Sequence, residues 1–143
     1  QKQTNLRSCE HVGTSILFPG DLEEMGEKEL LELTGPRVKS DILLSPHHGS
    51  RTSSSKAFLT MVAPKVCIIS SGKDRFGRFP HPSVLKRLAQ MGYESICISD
   101  SGSVTVRVEP KGFDIHSFLS KDPVWNRFFV KNPSIGSEFL HKD

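Results

Sequence analysis

Two adjacent histidines, His47 and His48, stand between an apolar run and a hydroxyl-rich segment in DILLSPHHGSRTSSS, residues 41–55. A second apolar run, SILFPGD, ends upstream at Asp21. Carboxylate and imidazole groups are common ligands of zinc and manganese. These residue types therefore point to a divalent-metal site, provided that the fold brings the two segments together.

The residues alone leave ordinary roles open as well. Asp21 can cap the helix that follows it, and a single histidine after a strand is commonly a hydrogen-bonded polar group. In an extended chain adjacent side chains point to opposite faces, so only one of the two histidines would bind a metal. Gly49 allows a tight turn, and the hydroxyls and amides of residues 50–55 would form a phosphate cradle at a helix start. The candidate substrate contacts there are Ser50, Thr52 and Ser53.

The surrounding sequence predicts an α/β domain that would hold these residues at one edge of a sheet. Strands are predicted at residues 14–18, 41–45, 65–70, 94–99 and 103–108, and helices at 22–33, 54–63 and 81–92. Crossover helices would join the strands of largely one sheet. Ligands bind at the carboxyl ends of strands in such folds, and Asp21 and the histidine pair each follow a strand.

The first predicted helix has an apolar stripe with acidic residues opposite. The stripe consists of Leu22, Met25, Leu30 and Leu33. This pattern is typical of an amphipathic helix that packs on the sheet.

Length and composition fit a soluble globular domain, with 143 residues, 36% hydrophobic and 24% charged. A net charge of +3 permits an anionic partner without demanding one. No apolar stretch reaches the about 20 residues that span a bilayer, so membrane attachment would come from other parts of a longer protein. Three cysteines, Cys9, Cys67 and Cys97, cannot all pair with one another, which faintly favours a reducing compartment.

The strand and helix pattern ends near residue 110, so we divide the chain into residues 1–110 and a C-terminal extension, residues 111–143. Asp122 and Pro123 predict the start of a short aromatic helix in the extension, which would cover an exposed sheet face. The residues that follow Pro133 are expected to form a frayed tail.

Four segments together resemble the later half of the metallo-β-lactamase-like domain of ComEC-type competence proteins, which internalise DNA during natural transformation. They are SILFPGD, DILLSPHHGSRTSSS, PKVCIISSGKDRFGRFPHPSVLKRLAQMGY and ISDSGSV, and they occur in this order between Thr14 and Val108. The resemblance implies that residues 1–110 form only the later half of an αββα sandwich, with one mixed sheet and helices on one face.

The resemblance also implies the site residues and the reaction. In the family the aspartate of the GD element bridges two metal ions, and a histidine of the HHGS element binds one of them. These ligands correspond to Asp21 and His48, with His47 as the alternative. The implied activity is metal-assisted phosphodiester hydrolysis of DNA with zinc or manganese, in which the ions activate a water and neutralise developing charge.

A basic loop, GKDRFGRFPHP, offers further contacts to DNA. Lys73, Arg75 and Arg78 carry charges suited to phosphate, and His81 lies beside them in the sequence. A solvated basic loop is the equally open alternative. Many relatives have His-Pro-His-Pro where this chain has FPHP, so one histidine of that pattern is missing.

The family's richest metal motif, His-x-His-x-Asp-His, does not occur upstream of Thr14. Because catalytic zinc typically has about three protein ligands, we expect the isolated chain to be inactive or nearly so. The active domain would belong to a longer polytopic membrane channel protein and would lie outside the cytoplasm. Two alternatives stay open: a hydrolase of the same fold with another substrate, and a non-catalytic module that guides DNA or is purely structural.

Overall fold

The structure of the protein is a computed structural model. It describes the backbone of residues 7–11, 13–72, 76, 78–119 and 126–129, with side chains for all of these except 7–11 and 126–129. A five-stranded mixed sheet organises the fold. The strands, in spatial order, are β1 (Arg7–His11), β2 (Thr14–Phe18), β3 (Ile42–Leu44), β4 (Val66–Ile69) and β5 (Glu94–Cys97). The first strand is antiparallel to β2, and the other neighbours are parallel.

Three helices connect the parallel strands and lie on one face of this sheet: α1 (Glu24–Thr34), α2 (Lys56–Val62) and α3 (Pro82–Gln90). Spatial strand order follows chain order, and crossovers of one hand then place every helix on the same side. Phe58 and Leu88 are fully buried there with Leu43 of β3. Burial of each such side chain stabilises the fold by about 1.5–3 kcal/mol. The predicted α/β class, with helices on one face of a mixed sheet, is confirmed.

The central strand β4 is buried at all four positions. Its Cys67 side chain packs in the helix-side core, and burial raises the pKa of this thiol to about 12. Burial, followed by the nearby charge of Asp100, also raises the pKa of Cys97. Both cysteines are free, and Cys67 behaves as the small hydrophobe that its apolar surroundings predict.

A second sheet covers the other face, which corrects the prediction of a single sheet. A one-turn helix, α4 (Ile98–Ser101), leads to β6 (Val104–Glu109), which pairs antiparallel with β7 (Gly112–Ser117). Phe113 and Ile115 of β7 are buried in one apolar cluster with strand residues of the first sheet. The side chains of β6 alternate between half-buried and exposed, the pattern of an antiparallel strand with one wet face.

The predicted aromatic helix is wrong for Asn126–Phe129, which form strand β8. This strand pairs antiparallel with β7, with Phe128 opposite Phe113, so it satisfies the backbone groups of an otherwise open edge. The face that the helix was expected to cover is covered by β7. The division of the chain at residue 110 stays a prediction, although β6 and β7 pair across it. The residues after Pro133 lie outside the described part of the chain.

No helix within the described residues is long and apolar enough to cross a membrane. The longest, α1, has 11 residues.

Candidate functional site

The candidate site lies at the carboxyl edge of the parallel strands, where the loops after β2, β3 and β4 meet. The amide of His47 donates to the Gly20 carbonyl at 3.0 Å, which joins the loop after β3 to the residue before Asp21. The amide of Ser45 donates to the Ile68 carbonyl at 2.8 Å, which joins the same loop to β4. The predicted convergence of the GD and HHGS segments is therefore observed.

The His48 ring is oriented by one hydrogen bond and faces one carboxylate. Its Nδ1 lies 2.7 Å from the Ser70 carbonyl oxygen. A carbonyl only accepts, so Nδ1 carries the hydrogen, and in the neutral ring Nε2 presents a lone pair. Nε2 lies 3.8 Å from Asp21 Oδ1, which is too long for a hydrogen bond. Two electron-pair donors thus face each other on exposed side chains.

Asp21 does not cap the first helix, so the alternative role that its position suggested is wrong. Helix α1 begins at Glu24, its N-cap residue is Glu23, and no side chain accepts a capping hydrogen bond there. Two residues separate Asp21 from the helix start, and its carboxylate is directed toward His48 instead.

The histidine pair adopts a left-handed turn, not the extended backbone assumed from the sequence. The φ angles of His47 and His48 are 46° and 55°, and Gly49 follows with 79°. The left-handed conformation costs roughly 1–2 kcal/mol for each residue other than glycine. Strained backbone of this kind concentrates at functional sites.

His47 approaches a different carboxylate from the one that His48 faces. Its Nδ1 lies 3.2 Å from Glu23 Oε1 but outside hydrogen-bond geometry, so this buried nitrogen has no hydrogen-bond partner among the residues described. The tethered ring of His48, and not that of His47, faces Asp21. The assignment of His48 as the ligand stays a prediction, with His47 less well placed.

The hydroxyl-rich segment divides into exposed and buried members. The hydroxyls of half-buried Ser50 and exposed Thr52 lie 3.0 Å apart, and Thr52 donates to the exposed Glu23 at 3.1 Å. Ser53 is 2% exposed, and its hydroxyl donates to the Pro46 carbonyl at 2.8 Å. Ser53 as a substrate contact stays a prediction, and in this structure its hydroxyl is used inside the loop.

Two amides of the phosphate cradle predicted at residues 50–55 are not free, because a protein carboxylate already occupies them. Glu27 is fully buried and accepts hydrogen bonds from the amides of Ser54 and Ser55. On the opposite side, Arg87 Nη1 donates to the carbonyls of Ser53 and Ser54 at 2.9 and 2.7 Å. Two successive peptide groups are thus held between a carboxylate and a guanidinium.

Neither Glu27 nor Arg87 was identified from the sequence. Glu27 was missed because the acidic residues of α1 were expected on the solvent side. Met25 and Leu33 of the predicted apolar stripe are 71% and 76% exposed, whereas Glu27 and Leu30 face inward. The signal available was weak: Glu27 lies three residues before Leu30 and one turn of helix after the start of α1.

The basic loop is described only in part. The Arg78 guanidinium lies 5.2 Å from the centre of the exposed Phe76 ring. His81 Nδ1 accepts from the Ser83 amide at 3.2 Å and caps α3, so the structure gives this side chain a capping contact. Lys73 and Arg75 lie outside the described residues, and phosphate binding by this loop stays a prediction.

Asp21 and His48 fit a divalent cation as part of a ligand set. A carboxylate and an imidazole suit zinc or manganese, and the tether of Nδ1 to a backbone carbonyl is the usual outer contact of a metal-binding histidine. Within the described ranges no three histidine, cysteine or acidic side chains form a group that could hold a metal. The pair therefore does not complete a site by itself.

The fold and the site define an α/β domain with a carboxylate–imidazole pair at the carboxyl edge of a parallel sheet, and three curated proteins resemble it. Recombination protein 2 of Haemophilus influenzae is 42% identical over 111 residues, 78% of the chain and 14% of that protein. ComE operon protein 3 of Bacillus subtilis is 35% identical over 95 residues, which are 66% of the chain and 12% of that protein. Competence protein ComA of Neisseria gonorrhoeae is 35% identical over 92 residues, which are 64% of the chain and 13% of that protein.

These matches show that the chain is homologous to a segment of the ComEC-type competence proteins, as its motifs predicted. The matched segments span 12–14% of the length of these relatives. No protein-family model matches the chain.

Proposed function

We propose that the chain forms part of a divalent-metal-dependent, nuclease-like domain of metallo-β-lactamase fold in a competence protein for DNA uptake. The names of the relatives support the competence role. The observation that carries the metal site is the geometry of His48, whose Nδ1 is tethered to Ser70 while Nε2 faces Asp21 across 3.8 Å.

Asp21 and His48 would each provide one ligand to zinc or manganese. A bound cation of this kind activates a water and stabilises the negative charge that develops on a phosphodiester. The further ligands would come from outside the described residues, which agrees with a segment that covers only 12–14% of much longer relatives.

The chain's own residues hold the two ligands in place. Gly49 lets the turn approach Pro80 closely, since a Cβ atom on residue 49 would lie 2.9 Å from the Pro80 Cβ. The Ser70 carbonyl fixes the plane of the His48 ring at the end of β4. The hydroxyls of half-buried Ser50 and exposed Thr52 would contact phosphate oxygens beside the metal, and Thr52 would exchange its hydrogen bond to Glu23 for one to phosphate.

The domain would lie outside the cytoplasm as one part of a polytopic membrane protein that passes DNA through the membrane. DNA and the remainder of that protein would be its partners. The competence names of the relatives support the association with a membrane protein for DNA uptake.

Manganese titration of the 143-residue chain, followed by NMR, tests the ligand assignment. Mn²⁺ is expected to broaden the signals of His48 and Asp21 first. His48→Gln is expected to remove the preferential broadening at Asp21, because a single carboxylate of the pair is then left to hold the ion. His47→Gln is the matched control and should retain most of the affinity.

Equal losses of affinity in His47→Gln and His48→Gln, or broadening centred away from Asp21, would overturn the ligand assignment. For the nuclease activity, a longer protein containing this segment is expected to hydrolyse DNA only with a divalent metal and to lose that activity in Asp21→Asn. Full activity of Asp21→Asn would refute the nuclease proposal.

A further inference from the structure

A positively charged cleft of about 590 Å³ lies beside the candidate site, between helix α1, helix α3 and the loop that precedes α2. Its basic lining residues come from four separate places in the chain: Lys28, Arg51, Lys56 and Arg87. The single acidic residue among the lining residues is Glu24. Since the chain as a whole carries only +3, this concentration of positive charge in one concave surface is notable.

Two of these cations are not used by the fold. Arg51 and Lys56 are exposed and form no ion pair with any residue that the structure describes. Lys28 contacts Glu32 at 4.0 Å on the surface, a type of pair worth little in water. Arg87 is committed to the carbonyls of Ser53 and Ser54. The positive charge of Arg51 and Lys56 is therefore available to a ligand.

The acidic residues of α1 do not cancel this charge. Glu27 lies beneath the cleft, but it is fully buried and its oxygens accept from the amides of Ser54 and Ser55. Glu23 is engaged outside the cleft lining, by the Thr52 hydroxyl and beside His47. An anion in the cleft would thus meet several guanidinium and ammonium groups and one carboxylate, that of Glu24.

The rest of the lining suits a ligand that carries both polar and apolar groups. Ser55 Oγ accepts from the Phe58 amide, which leaves its hydroxyl hydrogen free to donate into the cleft. Met25, Leu31 and Ala57 provide apolar surface on the α1 and α2 sides. Phosphate with sugar and base presents this alternation, and the volume falls within the about 300–1,000 Å³ of small-molecule sites.

We propose that this cleft binds the phosphate backbone of a single nucleic-acid strand, with Arg51 and Lys56 as the phosphate contacts. This assignment rests on the proposed function for its choice of nucleic acid. Thr52 lines the cleft and donates to Glu23, which lies beside His47, so the loop at residues 50–52 adjoins both the cleft and the histidine pair.

Binding of a fluorescent single-stranded oligonucleotide to the 143-residue chain, in EDTA and over a range of salt concentrations, tests the cleft. The double variant Arg51→Glu/Lys56→Glu is expected to lower the affinity at least tenfold. It should also lower the salt slope by about 1.4, because each lost single-strand phosphate contact contributes about 0.7. Both residues are exposed and form no contact that the fold needs, so unchanged thermal unfolding is expected.

The matched control is Lys39→Glu/Lys111→Glu, which reverses two exposed charges outside the cleft lining and should change the affinity less than threefold. Equal losses in the two double variants would overturn the proposal, since net charge alone would then explain binding. No oligonucleotide binding by the wild-type chain would also overturn it. Competition by a mononucleotide or inorganic phosphate as effective as that by the oligonucleotide would overturn the strand assignment.

The proposed metal-dependent function and the proposed strand-binding cleft can be rejected independently of each other. Because EDTA removes divalent metal, strand binding in the cleft does not depend on Asp21 or His48. A lost manganese site with an intact cleft effect would reject the metal-dependent function alone, and an intact manganese site without a cleft effect would reject the cleft alone.

Discussion

Gly49 shows how one residue without a side chain holds the site together. It follows two histidines in left-handed conformation and has a φ of +79°, a value that residues with a side chain rarely adopt. A Cβ atom here would also lie 2.9 Å from Pro80 Cβ and 3.4 Å from Ile69 Cγ2. The ring of proline cannot rotate away, so a larger residue at position 49 must move the turn.

Gly49→Ala is expected to destabilise the protein by about 1–3 kcal/mol and to weaken the manganese site through displacement of His48. Urea unfolding and Mn²⁺ titration measure the two effects. Gly72→Ala is the control, because no atom lies within 4 Å of its Cβ position, and a change within about 0.5 kcal/mol is expected there. Similar losses of stability at both positions would contradict the explanation.

At the scale of elements, the loop before α2 is positioned by charged groups from two helices. Glu27 of α1 accepts from two of its amides, and Arg87 of α3 donates to two of its carbonyls. Ser54, between these contacts, has φ 57°. The turn after the histidine pair is thereby fixed to the helical layer.

Glu27→Gln is expected to destabilise the protein by about 2 kcal/mol, because an amide group accepts through one atom only and leaves one loop N–H without a partner. The amides of Ser54 and Ser55 should exchange with solvent faster in this variant. Glu29→Gln changes an exposed acid on the same helix and should leave both quantities unchanged. Retained protection of both amides in Glu27→Gln would refute this role of the Glu27 carboxylate.

The helix and strand assignments show which patterns are informative at this scale. Strand β2 has the predicted bounds, and β4 is continuously buried as its β-branched run indicated. Strands β7 and β8 were not predicted, because pairing partners distant in sequence decide such edges. Asn126–Phe129 follow a helix-start signal, yet pairing with β7 overrides that local preference.

For the molecule as a whole, the two edges of the parallel sheet have different roles. The candidate site occupies the carboxyl edge, and a half-buried ionic contact holds the amino edge. Asp41 accepts from the Ser15 amide at 2.9 Å, from the Ser15 hydroxyl at 3.0 Å, and from Lys65 at 2.8 Å. These residues lie in β2 or directly before β3 and β4, so the contact joins three strands.

Stability is expected to fall in acid because of this contact. Burial tends to raise the pKa of Asp41, but the hydrogen bonds and charge from Lys65 and Ser15 outweigh it and lower the pKa below its usual range. The stabilisation is therefore fully present above the unfolded value of about 3.9 and is lost as pH falls through the folded pKa.

Urea unfolding of the wild type and Asp41→Asn is expected to differ by about 2 kcal/mol at neutral pH. The difference should begin to shrink as pH falls below about 3.9 and should close as pH passes through the lowered folded pKa of Asp41. A difference in unfolding free energy that stays constant into acid would show that Asp41 does not act through its charge.

The sequence by itself determined the α/β class, the three helices and the positions of Asp21 and the histidine pair after successive strands. Local periodicity and the common direction of parallel strands fix these features, since both act over short stretches of chain. Only the tertiary structure decided that His48 faces Asp21, that Glu27 and Arg87 hold the next loop, and that a second sheet covers the far face. Those features depend on backbone turns and pairings between distant residues, which no local pattern encodes.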